Sequence, residues 1–184
     1  AIKAEFIGNI DQGEMVIIEE SGVRSTIYAE QEKIDKKLCV FEYIYFARGD
    51  SHIDGQSVYQ SRLNMGRELY NETKYDADIV MSIPDSGTTA ALGYARASGI
   101  PFAEGLVKNR YSGRTFIKPN QEERELAVRM KLNPLPHVVS GKRIVLIDDS
   151  IVRGTTSGII VKMLKEAGAK EVYMCVSSPT IEYS

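Results

Sequence analysis

The sequence predicts an α/β domain, with a mainly parallel sheet flanked by helices and an antiparallel lead-in at the N-terminus. Two segments repeat the order of a short apolar strand, a polar loop and a helix, and another apolar strand follows the second of them. Strands that alternate with helices imply right-handed crossovers and a parallel sheet covered on both faces. The first third of the chain is instead rich in β-branched and aromatic residues, which is typical of antiparallel or edge strands.

The individual elements follow from turn signals and from the spacing of apolar residues. Three strands are predicted at 14–20, 23–30 and 38–47, and Asp54-Gly55 then marks a turn. Apolar or small residues at helical spacing predict a helix over 57–74. The later elements are a strand at 78–84, a helix at 90–99, a strand at 142–148, a helix at 157–169 and a strand at 171–178.

Length, charge and cysteine content limit the classes of function. The 184 residues suit one domain, predicted over 1–184, with lead-in strands over 1–37. The net charge of −2 is too balanced for a broad nucleic-acid surface, and no apolar run reaches the roughly 18 residues that cross a membrane. Cys39 and Cys175 form no C-x-x-C motif and no disulfide framework. We therefore expect a cytoplasmic protein with no nucleic-acid or membrane partner.

The most informative segment is residues 148–156, here called the acid loop. Asp148 and Asp149 leave the predicted strand, and hydroxyl-bearing residues and a glycine then open the next helix. Ligands of an open parallel sheet bind beyond the carboxyl ends of its strands. Backbone N–H groups at a helix start favour a phosphate, whereas the carboxylates favour sugar hydroxyls or a hydrated Mg²⁺. The acid loop thus predicts a sugar-phosphate site; plain capping by its own side chains is the alternative.

A long polar connection, residues 108–136, separates the two repeated units. It carries Lys108, Arg110 and Arg114 around aromatic residues that include Tyr111. Extended loops of this kind are commonly functional lids, so we expect residues 108–117 to close over a ligand. A solvated basic loop is the alternative.

Four separated motifs carry a family resemblance. They are FEYIYFARGDSHIDG (41–55), SVYQSRLNMG (57–66), KNRYSGRTFI (108–117) and DDSIVRGTTS (148–157). Neither a G-x-x-x-x-G-K-[ST] loop nor a G-x-G-x-x-G motif occurs. In this order, and over nearly the whole chain, the motifs resemble the phosphoribosyltransferase half of the glutamine phosphoribosylpyrophosphate amidotransferase family.

The resemblance implies a type I phosphoribosyltransferase fold and a defined reaction. A 5-phosphoribosyl group would pass from phosphoribosyl pyrophosphate to ammonia, giving 5-phosphoribosylamine and pyrophosphate in the first committed step of purine synthesis. In the family, an N-terminal glutaminase domain supplies the ammonia, and purine nucleotides inhibit the enzyme. This chain would then lack that domain and a C-terminal region of a homo-oligomeric parent. A non-catalytic module that binds phosphoribosyl pyrophosphate and a nucleobase phosphoribosyltransferase are the alternatives.

The resemblance also implies roles for individual residues. Asp148 and Asp149 would hold the ribose hydroxyls and Mg²⁺. Residues 84–87, here called the proline loop, resemble the family's pyrophosphate loop, with Ser86 as a second Mg²⁺ contact; a plain β-turn is the alternative. The predicted binding residues of this loop are Asp85, Ser86 and Gly87. The residues that would cradle the 5-phosphate are Ser150, Ile151, Val152, Arg153, Gly154, Thr155 and Thr156.

The expected chemistry gives the basic connection a catalytic role. Cleavage at carbon 1 develops positive charge on the ribose and negative charge on pyrophosphate, so the leaving group needs electrostatic stabilisation. Lys108, Arg110 and Arg114 could supply it from the predicted lid, while Tyr111 helps to exclude water. By resemblance, Lys108 and Tyr111 are the foremost catalytic-loop candidates.

Cys39 has a separate family counterpart. Many members carry a [4Fe-4S] cluster with four cysteine ligands, and Cys39 resembles the first of these ligands. The other three would lie beyond Ser184, so we expect no cluster in this chain. Its other cysteine, Cys175, lies in an apolar predicted strand and is interpreted as a buried core thiol. A core role is also the alternative for Cys39.

Overall fold

A computed structural model of the chain describes residues 3–30, 33–34, 37–109, 111, 121–152 and 154–179, with the backbone alone at 121–124. The chain divides into two units, Ala1–Cys39 and Val40–Ser184. In the described ranges, no helix is both long and apolar enough to cross a membrane.

The first unit contains an antiparallel hairpin. Its strands are β1 (Glu14–Glu19) and β2 (Gly22–Ile27), with Glu14 opposite Ile27 and Glu19 opposite Gly22. The predicted antiparallel lead-in is therefore confirmed, with strands slightly shorter than the sequence indicated.

The second unit contains the α/β fold. Its elements, in chain order, are a π-helical turn (Glu42–Phe46), β3 (His52–Ile53), β4 (Gln56–Ser57), α1 (Val58–Glu72), β5 (Ile79–Ser82), α2 (Thr88–Ser98), β6 (Leu106–Lys108), α3 (Gln121–Lys131), β7 (Leu132–Pro134), α4 (Pro136–Val139), β8 (Arg143–Asp148), α5 (Thr155–Glu166) and β9 (Glu171–Val176). Asp54 and Gly55, both with positive φ, form the tight turn between β3 and β4.

The central sheet is parallel, with β8 between β5 and β9. Alternate residues of β8 enter different hydrophobic clusters. Ile144 and Leu146 pack with the apolar face of α5, whereas Val145 and Ile147 pack with Tyr94 and its neighbours on α2. This two-residue period buries the strand on both faces, as an α/β sheet requires. The predicted parallel sheet covered by helices is confirmed.

Two glycines allow helices α1 and α2 to approach closely. A Cβ atom on Gly66 would lie 1.9 Å from the carbonyl oxygen of Ala90, and one on Gly93 would lie 2.1 Å from that of Leu63. Both distances are far below van der Waals contact, and backbone atoms move less easily than side-chain ends. Helices α1 and α2 can therefore pack this closely only if residues 66 and 93 are glycine.

We predict that Gly66→Ala lowers the free energy of unfolding by about 3 kcal/mol, because overpacking a rigid contact is strongly destabilising. Gly158→Ala is the matched control: it is also a helical glycine, but it is exposed and has no atom within 4 Å of the new Cβ. The control is expected to raise stability by roughly 0.5–1 kcal/mol through helix propensity. Urea unfolding of both variants checks the contrast, and equal stabilities would contradict it.

The predicted strand over 38–47 is wrong. Residues Glu42–Phe46 form a π-helical turn, in which Ile44 is buried and the Ala47 N–H donates to the carbonyl of Glu42 at 3.0 Å. Local propensity was overridden because the segment packs against α1 rather than pairing with a strand.

The connection over 108–136 is more structured than the sequence suggested. It includes α3, and β6 and β7 pair antiparallel, with Leu106 opposite Pro134 and Lys108 opposite Leu132. Val128 of α3 is buried in the core cluster of α5. Residues 110 and 112–120 lie outside the described residues, so the lid expected over 108–117 stays a prediction.

Candidate active site

The proline loop and the acid loop meet at the carboxyl ends of β5 and β8. A Cβ atom on Gly87 would lie 2.4 Å from the carbonyl oxygen of Ile147 and 3.0 Å from the Cα of Asp148. The Ile83 N–H also donates to the Ile147 carbonyl at 2.9 Å. The structure therefore brings together two of the predicted binding segments, and Gly87 serves their packing rather than offering a side chain.

The backbone of the acid pair is held by hydrogen bonds from the end of β9. Ser177 N–H donates to the Asp148 carbonyl at 3.1 Å, and Ser178 N–H donates to the Asp149 carbonyl at 2.9 Å. Within the acid loop, the Asp148 Oδ1 accepts from the Asp149 N–H at 2.9 Å, and Ser150 Oγ donates to Asp149 Oδ1 at 2.5 Å. These hydrogen bonds fix the backbone positions from which the Asp148 and Asp149 side chains extend.

The surroundings of Asp148 disfavour its charged form. Burial, and then the neighbouring Asp149 carboxylate, raise the pKa of Asp148 to about 7, while a hydrogen bond from the Asp149 N–H works the other way. Asp149 is itself only 8% exposed. Cations or hydroxyl donors would relieve this excess of buried negative charge.

The carboxylate pair fits a Mg²⁺ ion that is shared with a substrate. The described part of the chain has no group of three or more histidine, cysteine or acidic side chains that could hold a metal. Mg²⁺ is often bound through one or two carboxylates, with waters and substrate phosphates as its other ligands. Asp148 and Asp149 suit that arrangement.

The helix after the acid loop begins without a side-chain cap. Gly154 takes a left-handed conformation with φ of +69°, and α5 starts at Thr155 with no side-chain hydrogen bond to its first turn in the described part of the chain. Thr156, Ile151 and Val152 are exposed. Gly154 has no side chain with which to cap α5, and helix N-termini with free N–H groups favour anions. Capping by Thr155 or Thr156 stays the alternative.

A cleft of about 390 Å³ lies beside the proline loop. The Lys108 ammonium at the end of β6 pairs with the Asp85 carboxylate at its rim. Deeper in, the hydroxyls of Ser82 and Thr88 lie 3.1 Å apart. The lining residues are Ser82, Pro84, Asp85, Thr88, Phe102, Glu104, Leu106, Val107 and Lys108. The structure therefore places Lys108 against the predicted pyrophosphate loop.

The remaining predicted residues are only partly described. Ser86 is half-buried in the proline loop, and Tyr111 is fully exposed, with its N–H donating to Asn109 Oδ1 at 3.0 Å. Arg110, Arg114 and Arg153 lie outside the described residues. In the first unit Cys39 is exposed, whereas Cys175 is buried in β9.

Sequence reasoning missed several positioning groups. Ser177 and Ser178 stood at the end of a predicted strand at the same sheet edge as the acid loop, so topology alone could have suggested them. Arg62 of α1 had no comparable signal: it donates to the carbonyls of Tyr43 and Ala47, in a segment expected to be a strand.

Comparison with known proteins connects the site to a family. A family model for the phosphoribosyl transferase domain matches residues 64–179. The amidophosphoribosyltransferase of Synechocystis sp. is 55% identical over 182 residues, which are 99% of this chain and 36% of that protein. The amidophosphoribosyltransferase of Bacillus subtilis is 50% identical over 182 residues, which are 99% of this chain and 38% of that protein.

A solved structure gives the same correspondence. Glutamine phosphoribosylpyrophosphate amidotransferase from B. subtilis, complexed with ADP and GMP, superposes with a TM-score of 0.81 at 52% identity, covering 95% of this chain and 38% of that one. The chain thus spans a little over a third of the relatives it matches. These matches confirm the type I fold and the resemblance that the four motifs predicted.

Proposed function

Because this chain belongs to the phosphoribosyltransferase family, we propose that it transfers the 5-phosphoribosyl group of phosphoribosyl pyrophosphate to ammonia. The products are 5-phosphoribosylamine and pyrophosphate, as in the first committed step of purine synthesis. The observation that carries the proposal is the backbone contact between Gly87 and Ile147, which joins the proline loop and the acid loop at one sheet edge. Similarity to amidophosphoribosyltransferases supports ammonia as the acceptor.

Each part of the substrate has a matching surface in this proposal. The uncapped start of α5 and the acid-loop hydroxyls receive the 5-phosphate, because N–H groups and the helix dipole attract a dianion. Asp148 and Asp149 accept hydrogen bonds from the ribose hydroxyls and hold Mg²⁺. The proline loop receives the pyrophosphate: the Ser86 hydroxyl donates a hydrogen bond to it, Gly87 holds the loop in place, and Asp85 holds the Lys108 ammonium beside the anion.

The chain's own groups stabilise the leaving pyrophosphate. Bound Mg²⁺ supplies positive charge that lowers the barrier to losing pyrophosphate. Lys108 already lies against the proline loop through its ion pair with Asp85. A short movement of the Lys108 side chain would let its ammonium pair with the leaving pyrophosphate. Tyr111 is fully exposed and free to pack over the site when the predicted lid, with Arg110 and Arg114, closes.

The proposal extends to partners in the whole protein. Ammonia would come from a glutaminase domain, and purine nucleotides would act as inhibitors, consistent with the ADP and GMP of the B. subtilis structure. We also propose a homo-oligomeric, cytoplasmic parent. A [4Fe-4S] cluster needs more cysteine ligands than the two this chain has, so Cys39 could contribute only together with cysteines elsewhere in the parent.

Release of pyrophosphate from Mg²⁺·phosphoribosyl pyrophosphate, with and without ammonium at mildly alkaline pH, tests the proposal. Release that depends on ammonium is the expected result. Binding without release under either condition would instead support a regulatory module, and release that depends on a purine base would support a nucleobase phosphoribosyltransferase.

Replacing Lys108 with alanine is expected to lower turnover at least about tenfold while changing substrate affinity less than about threefold, because its charge acts mainly on the leaving group. Steady-state kinetics and calorimetry give the two numbers. Lys165→Ala is the control, since Lys165 is exposed near the far end of α5 and donates to the Lys170 carbonyl. If Lys108→Ala instead lowers substrate affinity about tenfold and leaves turnover unchanged, Lys108 is a binding residue only.

A further inference from the structure

Asn109 is bound through both ends of its side-chain amide. Its Nδ2 donates to the Met130 carbonyl at 3.2 Å, and its Oδ1 accepts from the Tyr111 N–H at 3.0 Å. Its own backbone N–H donates to the Lys131 carbonyl at 2.7 Å. A side-chain oxygen that binds the N–H two residues on forms a turn typical of asparagine. One half-buried residue therefore connects the chain that follows β6 to the end of α3.

The backbone to which Asn109 is bound belongs to a fixed part of the fold. Strands β6 and β7 pair antiparallel, with Lys108 opposite Leu132. Helix α3 ends directly before β7 and is anchored in the core through Val128. The side chain of Asn109 therefore joins the Tyr111 backbone to a support that packing holds in place.

Asn109 stands between the two foremost catalytic-loop candidates. Lys108 precedes it, lines the cleft and pairs there with Asp85. Tyr111 follows it, and its side chain is fully exposed although its N–H is bound. The backbone at position 111 is thus held close to Lys108, while the tyrosine ring can still turn toward a ligand.

We propose that Asn109 is a positioning residue that holds the Tyr111 backbone beside Lys108, so that the Tyr111 ring can shield the reacting sugar from water. The inference deepens the proposed function and rests on it for the reaction. Asn109 itself need not touch the substrate, because both ends of its amide are bound to backbone groups. When the shield is lost, water takes the phosphoribosyl group in place of ammonia, giving ribose 5-phosphate and pyrophosphate.

The positioning role predicts separate changes in turnover, affinity and product ratio. Asn109→Ala should lower ammonium-dependent turnover about tenfold, while the affinity for Mg²⁺·phosphoribosyl pyrophosphate changes less than about threefold. The ratio of hydrolysis to transfer onto ammonia should rise at least about threefold, because water is no longer excluded. Assays of pyrophosphate and ribose 5-phosphate give the rates, and calorimetry gives the affinity. A merely structural defect would lower affinity and turnover together at an unchanged ratio, and that outcome would overturn the inference.

Two further variants make the test specific. Asn109→Ser keeps a neutral oxygen that can accept from the N–H two residues on, so its turnover should stay within about threefold of wild type. A larger loss in Asn109→Ser would overturn the proposal even if Asn109→Ala does not fold. Asn71→Ala is the control, because the Asn71 amide donates to the exposed Glu68 near the end of α1 and should change none of the three quantities. An equal effect of Asn71→Ala would contradict a role specific to Asn109.

The effect should also require the tyrosine. In a Tyr111→Ala background, Asn109→Ala is expected to lower turnover less than about twofold, because the ring that Asn109 positions is already gone. A full tenfold loss in that background would contradict an action through Tyr111.

The order of the Tyr111 backbone can be measured without any reaction. By NMR relaxation, the order parameter of the Tyr111 N–H should be about 0.85 in wild type and below about 0.6 in Asn109→Ala. Equal values in the two proteins would overturn the inference. If wild type releases no pyrophosphate in the presence of ammonium, the proposed function fails, while the order parameter still shows whether Asn109 holds residue 111.

Discussion

Gly87→Ala is expected to lower the affinity for Mg²⁺·phosphoribosyl pyrophosphate at least about tenfold and to destabilise the fold by about 1–3 kcal/mol. The added Cβ would lie 2.4 Å from the Ile147 carbonyl oxygen, so the proline loop or the end of β8 has to move. Either movement separates the two surfaces that we propose bind opposite ends of the same substrate. Small displacements of such groups strongly reduce binding and turnover.

A second glycine tests whether the effect is local. Gly49→Ala adds a Cβ with no atom within 4 Å and should change neither stability nor affinity measurably. Calorimetric titration and thermal unfolding of both variants give the comparison. Wild-type affinity in Gly87→Ala would mean that the contact between the two loops does not form the binding site.

Asp148→Asn is expected to stabilise the ligand-free protein while weakening substrate binding at least about tenfold. The raised pKa of Asp148, about 7, lies above its ordinary value of 3.8, so the folded state binds this proton more tightly than the unfolded state. Stability therefore falls as pH rises from about 4 to 7, and the loss is complete above pH 7. Asparagine carries no charge, so the variant escapes this loss.

The pH dependence of unfolding separates this explanation from a general effect of the mutation. At pH 8 in metal-free buffer, Asp148→Asn should be more stable than wild type by on the order of 2 kcal/mol, and near pH 4 the two should be equal. The same variant should lose affinity because a neutral amide neither holds Mg²⁺ nor accepts ribose hydroxyls equally well. A variant that is less stable at pH 8, or that keeps full affinity, would contradict the role of Asp148.

Asp78 provides a control of opposite sign. Hydrogen bonds from Arg143 lower the pKa of Asp78 to about 2, so its contribution to stability is present above about pH 4 and is lost as pH falls through about 2. Asp78→Asn should therefore destabilise the protein at neutral pH, with no effect on substrate affinity. Thermal unfolding at pH 7 distinguishes the two aspartates directly.

Much of the α/β unit could be predicted because its signals are local. Helix α1 follows from apolar spacing, and β8 is a continuous apolar run that ends in two acids. The position of the acid loop then follows from the rule that ligands bind beyond the strand ends. The four motifs added the family, and with it the expected roles of the acid loop and the proline loop.

The missed features depend on contacts between distant segments. The aromatic run at 38–47 has strong β-propensity, yet its residues Glu42–Phe46 form a π-helical turn that packs against α1, and Arg62 of that helix donates to the Tyr43 and Ala47 carbonyls. The resemblance indicated Gly87 as a binding residue, which stays a prediction; that the position also needs a residue without a side chain is revealed only by the position of Ile147. Helix α3 was missed because its segment is strongly polar; among the α3 side chains that the structure describes, Val128 is buried in the core.

Calorimetric titration of the wild-type chain with phosphoribosyl pyrophosphate in the presence of Mg²⁺ tests most directly whether the two loops form one site. We predict 1:1 binding, with ribose 5-phosphate and pyrophosphate each binding more weakly and each competing with the full substrate, since each would occupy one half of the site. No binding of phosphoribosyl pyrophosphate, or binding that neither fragment displaces, would contradict the account.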